Sequence, residues 1–432
     1  MAEDGGKDKR PDENTDAQDQ DFVRERVLGK RENRKASIKK AVTLVVCAVI
    51  FGAVACLTFV LLKAPFETLV ADTSDETIEV PSDEETAAST TAAAESSELD
   101  IESAVVDAVE AYDWDTDDYA GIYSALADKA EEYNKAIVTV TTRVSGTDMF
   151  DNTIETEGNV SGVVWNITDS EALILTAYEV SDDEVTVEVT FESGDSAAAY
   201  IKAADSKTGI AVISVPLDNV DSEVIGSIGC LELGNSNTVS VGDVVIFAGS
   251  PANYVGSISY GVVSYVRSSV ITADMDVRVL VTDMSSASTA TGFLIDLDGK
   301  IVGMITSDTT GTNTQAIGIS DLKSIIEKLA NGYTIAYLGV VGQDVTEQIS
   351  ASNDVPVGIY VTEASIDSPA YNGGIQSGDI ITAIDGTEVL TMKQLQAFIA
   401  GKLPGDTVTV TVQRTDRSTY SEMTLQVTLG TR

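Results

Sequence analysis

The sequence predicts a mainly β protein carried on a single N-terminal transmembrane helix, and three observations carry that prediction. Residues 41–62 form an unbroken apolar run. From residue 135 onward, short Val/Ile/Thr-rich segments recur between Gly, Asp, Asn and Ser, the pattern of many short strands. The final segment, about residues 337–428, then alternates strands with helices in a cycle of its own, which adds a smaller α+β unit.

Residues 41–62 read AVTLVVCAVIFGAVACLTFVLL, long enough as a helix to cross a hydrocarbon core of about 30 Å. Arg24, Arg26, Lys30, Arg31, Arg34, Lys35, Lys39 and Lys40 precede the run, and only Lys63 follows it closely. The excess of bases on one side keeps residues 1–40 in the cytoplasm and exports the remainder. A cleaved signal peptide would have a shorter apolar core, and a lipoprotein leader ending at Cys56 would be far too long. The expectation is a single-pass cell-membrane protein with an extracytoplasmic C-terminal part.

Residues 1–40 are polar and charge-mixed and read as a disordered tail. Residues 63–100 are rich in Ser, Thr, Ala, Asp and Glu and read as an acidic extended stalk. In 101–134, apolar residues recur at helical spacing. The runs AIVTVTTRV, GVVWNI, ALILTAYEV, VTVEVTF, IAVISV, VGDVVIFAG, GVVSYV and VRVLVTDM then read as strands of a barrel or sandwich. Asp298-Gly299 marks a hairpin turn, and SDLKSIIEKL, with Ser320 as N-cap, is read as a helix closing this domain at about residue 332. A last domain spans about 336–430, with an Asp-Gly turn inside GDIITAIDGTEV and a helix over TMKQLQAFIAG.

Composition excludes several function classes. A formal net charge of −42 over 432 residues, with pI near 4.1, lacks the basic footprint that nucleic acid needs. The chain has no histidine, so the side chain that usually shuttles protons near neutral pH is absent. Of three cysteines, Cys47 and Cys56 lie in the apolar run and Cys230 stands alone outside. No disulfide is available to the exported part, and Cys230 reads as a small buried residue. The DLDG text at 296–299 lacks the further ligands of a calcium loop, and no metal or cofactor is expected.

Two stretches carry a family resemblance. Tyr337-Leu338-Gly339-Val340, SPAYNGGIQSGDIITAIDGTEV and PGDTVTVTVQR resemble the PDZ domain attached to bacterial HtrA (Deg) serine proteases. Upstream, SKTGIAVISV, VGDVVIFAGSPANYVGSISYGVVSYV and TDM…LIDLDGKIVGM resemble, in order and spacing, the HtrA protease domain over about 135–332. The resemblance implies a chymotrypsin-like double β-barrel followed by an α+β PDZ domain.

The family's catalytic groups do not carry over. Glu179, in LTAYEV, stands at the catalytic histidine's position, and Gly209, in Thr208-Gly209-Ile210, stands at the aspartate's. The GNSGGP nucleophile motif is replaced by Thr289-Ala290-Thr291-Gly292-Phe293, one residue shorter, so either Ala290 or Thr291 occupies the serine's place. A serine hydroxyl needs an imidazole to remove its proton and a carboxylate to orient that imidazole. A carboxylate of ordinary pKa, about 4.3, is a weak base toward an alcohol.

The expectation is therefore a chain that is not an enzyme: a degenerate protease homologue binding peptide or protein C-termini through its PDZ domain. An extended peptide would add beside Val340 and Val341, its carboxylate held by amides of the Tyr337–Val340 loop, with Leu395 and Phe398 walling an apolar terminal side chain. The resemblance further implies a homotrimer, or co-assembly with an active homologue. Two other readings remain: an endopeptidase with a non-standard site, and an inert stalk whose groove binds nothing.

Overall fold

The β-branched runs close into two six-stranded barrels followed by a further sheet accompanied by three helices. The computed structural model describes residues 77–83, 115–147, 153–178, 185–306, 313–416 and 419–432. Helix α1 (Thr116–Asn134) opens with a capping box: Asp115 accepts from the amides of Asp117 and Asp118, and the Asp118 side chain accepts in return from the Asp115 amide. The other half of the helical stretch expected over 101–134 lies outside the described residues, as does the apolar run at 41–62. Among the described residues no helix is long and apolar enough to cross a membrane.

The first barrel comprises β1 (Ile137–Thr147), β2 (Thr153–Ile167), β3 (Glu171–Ala177), β4 (Val185–Thr190), β5 (Ser196–Asp205) and β6 (Ile210–Pro216). Its strands run in the order β1-β2-β3-β6-β5-β4, closed by β1 pairing with β4 from Thr139↔Thr190 to Val144↔Val185. A short helix, α2 (Ser222–Ile225), leads toward the second barrel. That barrel holds β7 (Val244–Gly249), β8 (Ser257–Thr272), β9 (Met275–Ser285), β10 (Gly292–Ile295), β11 (Ile301–Ile305) and β12 (Asn313–Gly318), ordered β10-β11-β12-β9-β8-β7. Closure removes the edges that open sheets leave exposed. Val140, Val164, Ile174, Val189 and Ile213 fill the first barrel; Val245, Phe247, Leu280, Leu294 and Ile305 fill the second.

A larger cluster, including Trp165, Leu175, Ile246 and Phe293, joins the two barrels. Helix α3 (Lys323–Ala330) packs Ile325, Ile326 and Leu329 into that cluster. Its start differs from expectation: a tight turn over Ile319–Asp321 precedes it and Ser320 is not its cap. Ser320 instead donates to Asp83 Oδ2 at 2.7 Å and accepts from the Ser236 amide at 2.9 Å.

That bond belongs to a second departure. Residues 77–83, expected within an extended stalk, lie on α3: Ile78 and Val80 are buried in the joint cluster, the Ile78 backbone pairs with the Asn331 side chain, and Lys323 Nζ meets Asp83 at 2.9 Å. Two apolar residues and one aspartate suffice to dock a segment whose overall composition reads as solvated. Cys230, expected to be buried, is exposed, because it lies in irregular chain between α2 and β7.

The last sheet contains β14 (Val340–Val345), β15 (Gly358–Ala364), β16 (Ile380–Ile384), β18 (Thr407–Asp416) and β19 (Thr419–Thr428) in that order, with β17 (Thr387–Glu388) on β16; β13 (Ala336–Tyr337) pairs with β20 (Gly430–Thr431). Strict alternation in β18 points Val408, Val410 and Val412 inward and the intervening Thr409 and Thr411 toward the outer face. Helices α4 (Glu347–Asn353), α5 (Pro369–Asn372) and α6 (Met392–Ala400) complete the unit; Thr391 caps α6 through the Gln394 amide. Asp379, almost fully buried, is held by Arg414 through two bonds of 2.7 Å, a bidentate pair that ties β16 to β18.

Candidate functional site

Between the barrels lies a cleft of about 680 Å³. Its first-barrel wall includes Thr139, Thr142, Asn159, Ala177, Tyr178 and Gly209; its second-barrel wall includes Ser250, Asn253, Tyr254, Thr289 and Thr291. Gly209 and Thr291, taken from sequence as degenerate catalytic positions, thus face one cavity. Glu179, the third, lies outside the described residues, directly after the cleft residue Tyr178.

Gly209 sits at the β5–β6 turn with φ +67, where its amide donates to Asp205 O and its carbonyl accepts from the Tyr178 amide, both at 2.9 Å. The turn brings the end of β3 against the start of β6. Of the two alternatives for the serine's place, Thr291 lines the cleft, whereas Ala290 is buried beneath it with its amide bonded to Ala287 O. Thr291 follows a tight turn and is only 5% exposed.

The hydroxyls there form a small network. Ser250 Oγ donates to Thr291 O at 3.0 Å and accepts from the Thr291 amide at 3.0 Å. The two hydroxyl oxygens lie 3.3 Å apart. A hydroxyl carries one proton, so Ser250 can donate to the Thr291 carbonyl or to its hydroxyl, and either oxygen can be the donor in the 3.3 Å contact. Thr289, an exposed hydroxyl of this wall, donates to Asn253 Oδ1 at 2.6 Å. Gly292 holds φ +147, and a Cβ there would press into Ala248 O, so the strand can begin this close to β7 only with glycine. Among the described lining residues no carboxylate, ammonium or guanidinium reaches the cleft.

The second candidate site is the loop Tyr337-Leu338-Gly339-Val340. Gly339 has φ +89, and a Cβ would collide with the Ser368 side chain. This conformation aims three successive amides at one point, and a carboxylate is already there. Asp274, in the tight turn between β8 and β9, accepts from Leu338 N at 2.7 Å, from Gly339 N at 2.8 and 2.9 Å, and from Val340 N at 2.8 Å. The Asp274 amide donates to Val340 O at 2.8 Å. Asp274 is 1% exposed. Burial pushes its carboxyl above the ordinary range, against the opposite pull of those amides and of Arg432.

Of the residues expected to bind a peptide, Tyr337, Leu338, Val340 and Leu395 are buried, while Val341 and Phe398 are half-buried. Leu338 and Leu395 therefore serve as core, and the Phe398 ring lies 4.7 Å from Lys402 Nζ. Asp274 was not among the expected residues. Thr272-Ala273-Asp274 reads in sequence only as a turn, and no spacing rule connects it to a loop more than sixty residues later.

Residues 160–304 match the family described as trypsin-like peptidase domain, and residues 360–414 match the PDZ domain. The chain is 27% identical to the serine protease Do-like HtrA of Bacillus subtilis over 71% of its length and 73% of the relative's. It is 24% identical to the protein of the same name from Lactobacillus helveticus, over 63% and 70%. It is also 27% identical to a probable periplasmic serine endoprotease DegP-like of Halomonas elongata, spanning 57% of this chain and 52% of that one. Among solved structures, an HtrA-type protease AlgW with decapeptide aligns with TM-score 0.48 and 20% identity, over 71% of this chain and 98% of that one. These findings correct the expectation of a chain that is not an enzyme: the relatives are named serine proteases or endoproteases, and residues 160–304, within the two barrels, match a peptidase family.

Proposed function

We propose that this chain, a trypsin-like peptidase domain joined to a PDZ domain with HtrA-type serine proteases as homologues, is an extracytoplasmic endopeptidase with a non-standard site. Unfolded polypeptide would enter the cleft between the barrels, and peptide C-termini would be held at the PDZ loop. The observation that carries this reading is the cleft itself: the Thr291 hydroxyl, bonded to Ser250, faces the Tyr178–Gly209 edge across one cavity.

The chemistry asks for a nucleophile and a base. Thr291 is the hydroxyl at the serine's place. The chain contains no histidine, so the proton must pass to a weaker acceptor; Glu179, next to Tyr178, is a carboxylate adjacent in sequence to the cleft and stands at the position the resemblance gives to the catalytic base. A carboxylate base of ordinary strength makes slow turnover the expectation. An exported position agrees with the periplasmic relatives by name and with the apolar run at 41–62, read as a membrane anchor.

Incubation of the full-length chain with unfolded casein over a day tests this reading. Cleavage by the parent chain that is lost in both Thr291→Ala and Glu179→Gln is the expected result. Intact casein, or cleavage indifferent to Thr291→Ala, would overturn it.

A further inference from the structure

The PDZ loop is not empty, and what fills it comes from the same chain. Asp274 supplies a carboxylate to three consecutive amides, the geometry by which backbone amide nests capture a terminal carboxylate. Its own amide bonds to Val340 O at 2.8 Å, as the last residue of an added strand would. Asp274 has φ +62, a conformation that Asp tolerates better than most residues.

The hairpin engages the groove on its other sides too. Ile271, three residues before Asp274, packs against the PDZ core cluster that contains Leu338, Val340 and Leu395. The Asp276 amide donates to Gln396 Oε1 at 3.2 Å, and Gln396 lies on α6, the helix that walls the groove. Gln396 Nε2 in turn donates to Asp321 O at 3.3 Å, fastening that helix to the barrel. Carboxylate, backbone amide and apolar side chain are the three features by which a C-terminal peptide is recognised, and one hairpin presents all of them.

We infer that the β8–β9 hairpin is an internal ligand of the PDZ domain, with Asp274 standing in for a peptide's terminal carboxylate, so that an external C-terminus binds only by displacing the hairpin from the groove. This rests on the reading of the loop as a peptide-binding site. Because the hairpin is part of the same chain, its effective concentration at the groove is high and an external peptide competes at a disadvantage. The hairpin strands belong to the second barrel, whose β10 carries Gly292 beside Thr291, so displacement of the hairpin is felt in the barrel that forms one wall of the cleft. The occupant that suits the vacated groove is a peptide with a free carboxylate and an apolar end, since the hairpin itself sets an apolar side chain, Ile271, against the PDZ core cluster.

The test uses a dye-labelled decapeptide ending in isoleucine with a free carboxylate, and the same peptide as its C-terminal amide, titrated into the full-length chain by fluorescence anisotropy. Asp274→Ala and the near-isosteric Asp274→Asn remove the competitor's charge. The acid peptide should bind each variant about tenfold or more tighter than it binds the parent chain, the worth of a charge-assisted hydrogen bond in affinity, while the amide peptide should bind poorly throughout. Equal affinity for parent and both variants would overturn the inference while leaving the loop a peptide site. No preference for the acid over the amide in any variant, or no binding at all, would overturn the peptide-site reading and the inference with it. Hydrogen exchange on the parent chain needs no variant: saturating acid peptide should speed exchange at the amides of 274 and 276, and unchanged protection with peptide bound would refute displacement.

Discussion

Removing Arg432 should destabilise the first barrel by about 3 kcal/mol, because the arginine compensates a carboxylate that has no route to water. Arg432 Nε lies 3.1 Å from Asp205 Oδ1, and the two side chains are 5% and 0% exposed. Its Nη2 reaches Met275 Sδ at 2.9 Å, and its charge acts on Asp274 one residue earlier. Arg432 thus sits between two buried carboxylates. Breaking a buried pair by deleting one partner costs about 3–5 kcal/mol. Asp205 keeps the Lys207 amide at 3.1 Å and the Thr208 hydroxyl at 2.6 Å, which argues for the lower end. The assay is urea unfolding of Arg432→Leu, followed by the fluorescence of Trp165 in a Trp114→Phe background, so that one indole in β2 reports on that barrel. A cost of about 3 kcal/mol moves the folding equilibrium by about two orders of magnitude. The double variant Asp205→Asn/Arg432→Leu should recover part of the loss, since no uncompensated charge remains. A shift below about 0.5 kcal/mol, or a double variant no better than the single, would refute the reasoning.

Gly339→Val should cost about 2 kcal/mol or more, through the strain of a β-branched residue at φ +89 and a clash with Ser368; hydrogen exchange should report it first at the loop amides bonded to Asp274. Asp83→Ala leaves Lys323 Nζ buried without its carboxylate, and limited proteolysis should then cut within 77–83 while sparing the barrels. Glu171 gives a pH dependence: burial pushes its carboxyl up, but hydrogen bonds from Lys202, Ser214 and Tyr200 together outweigh that and hold it below the ordinary value. Its stabilising contribution is complete above the unfolded pKa of about 4.3 and is lost as pH falls through the lower folded value. Glu171→Gln should therefore be less stable than the parent at pH 7, by about 1–3 kcal/mol, with the gap closing in acid; a gap constant down to pH 3 would contradict this.

Much of this architecture is legible in the sequence because barrels and sheet are written in period-two patterns and turn residues. Val408, Val410 and Val412 announce the inner face of β18, and Asp385-Gly386 announces the turn between β16 and β17, both residues adopting positive φ. Gly209 and Thr291 line one cleft, but motif order along the chain left Ala290 open beside Thr291, and Glu179, the third position it named, lies outside the described residues. What stayed hidden depends on distance in sequence. Ile78, Val80 and Asp83 are three residues in an acidic segment, too few to shift its composition, yet they bury on α3. Asp274 is an ordinary turn aspartate until the fold brings Leu338, Gly339 and Val340 to it. The inactive reading failed for a different reason: absent triad residues describe one catalytic arrangement, whereas the relatives that match 63–71% of the chain are named serine proteases.

The measurement closest to the central claim is a search for the covalent intermediate that a hydroxyl nucleophile must form. The full-length chain, mixed with unfolded casein, is quenched in acid, digested and mapped by mass spectrometry. The account predicts an acyl ester on the peptide containing Thr291 and its absence in Thr291→Ala. Casein cleaved with no ester at Thr291, or an ester at another residue, would contradict it.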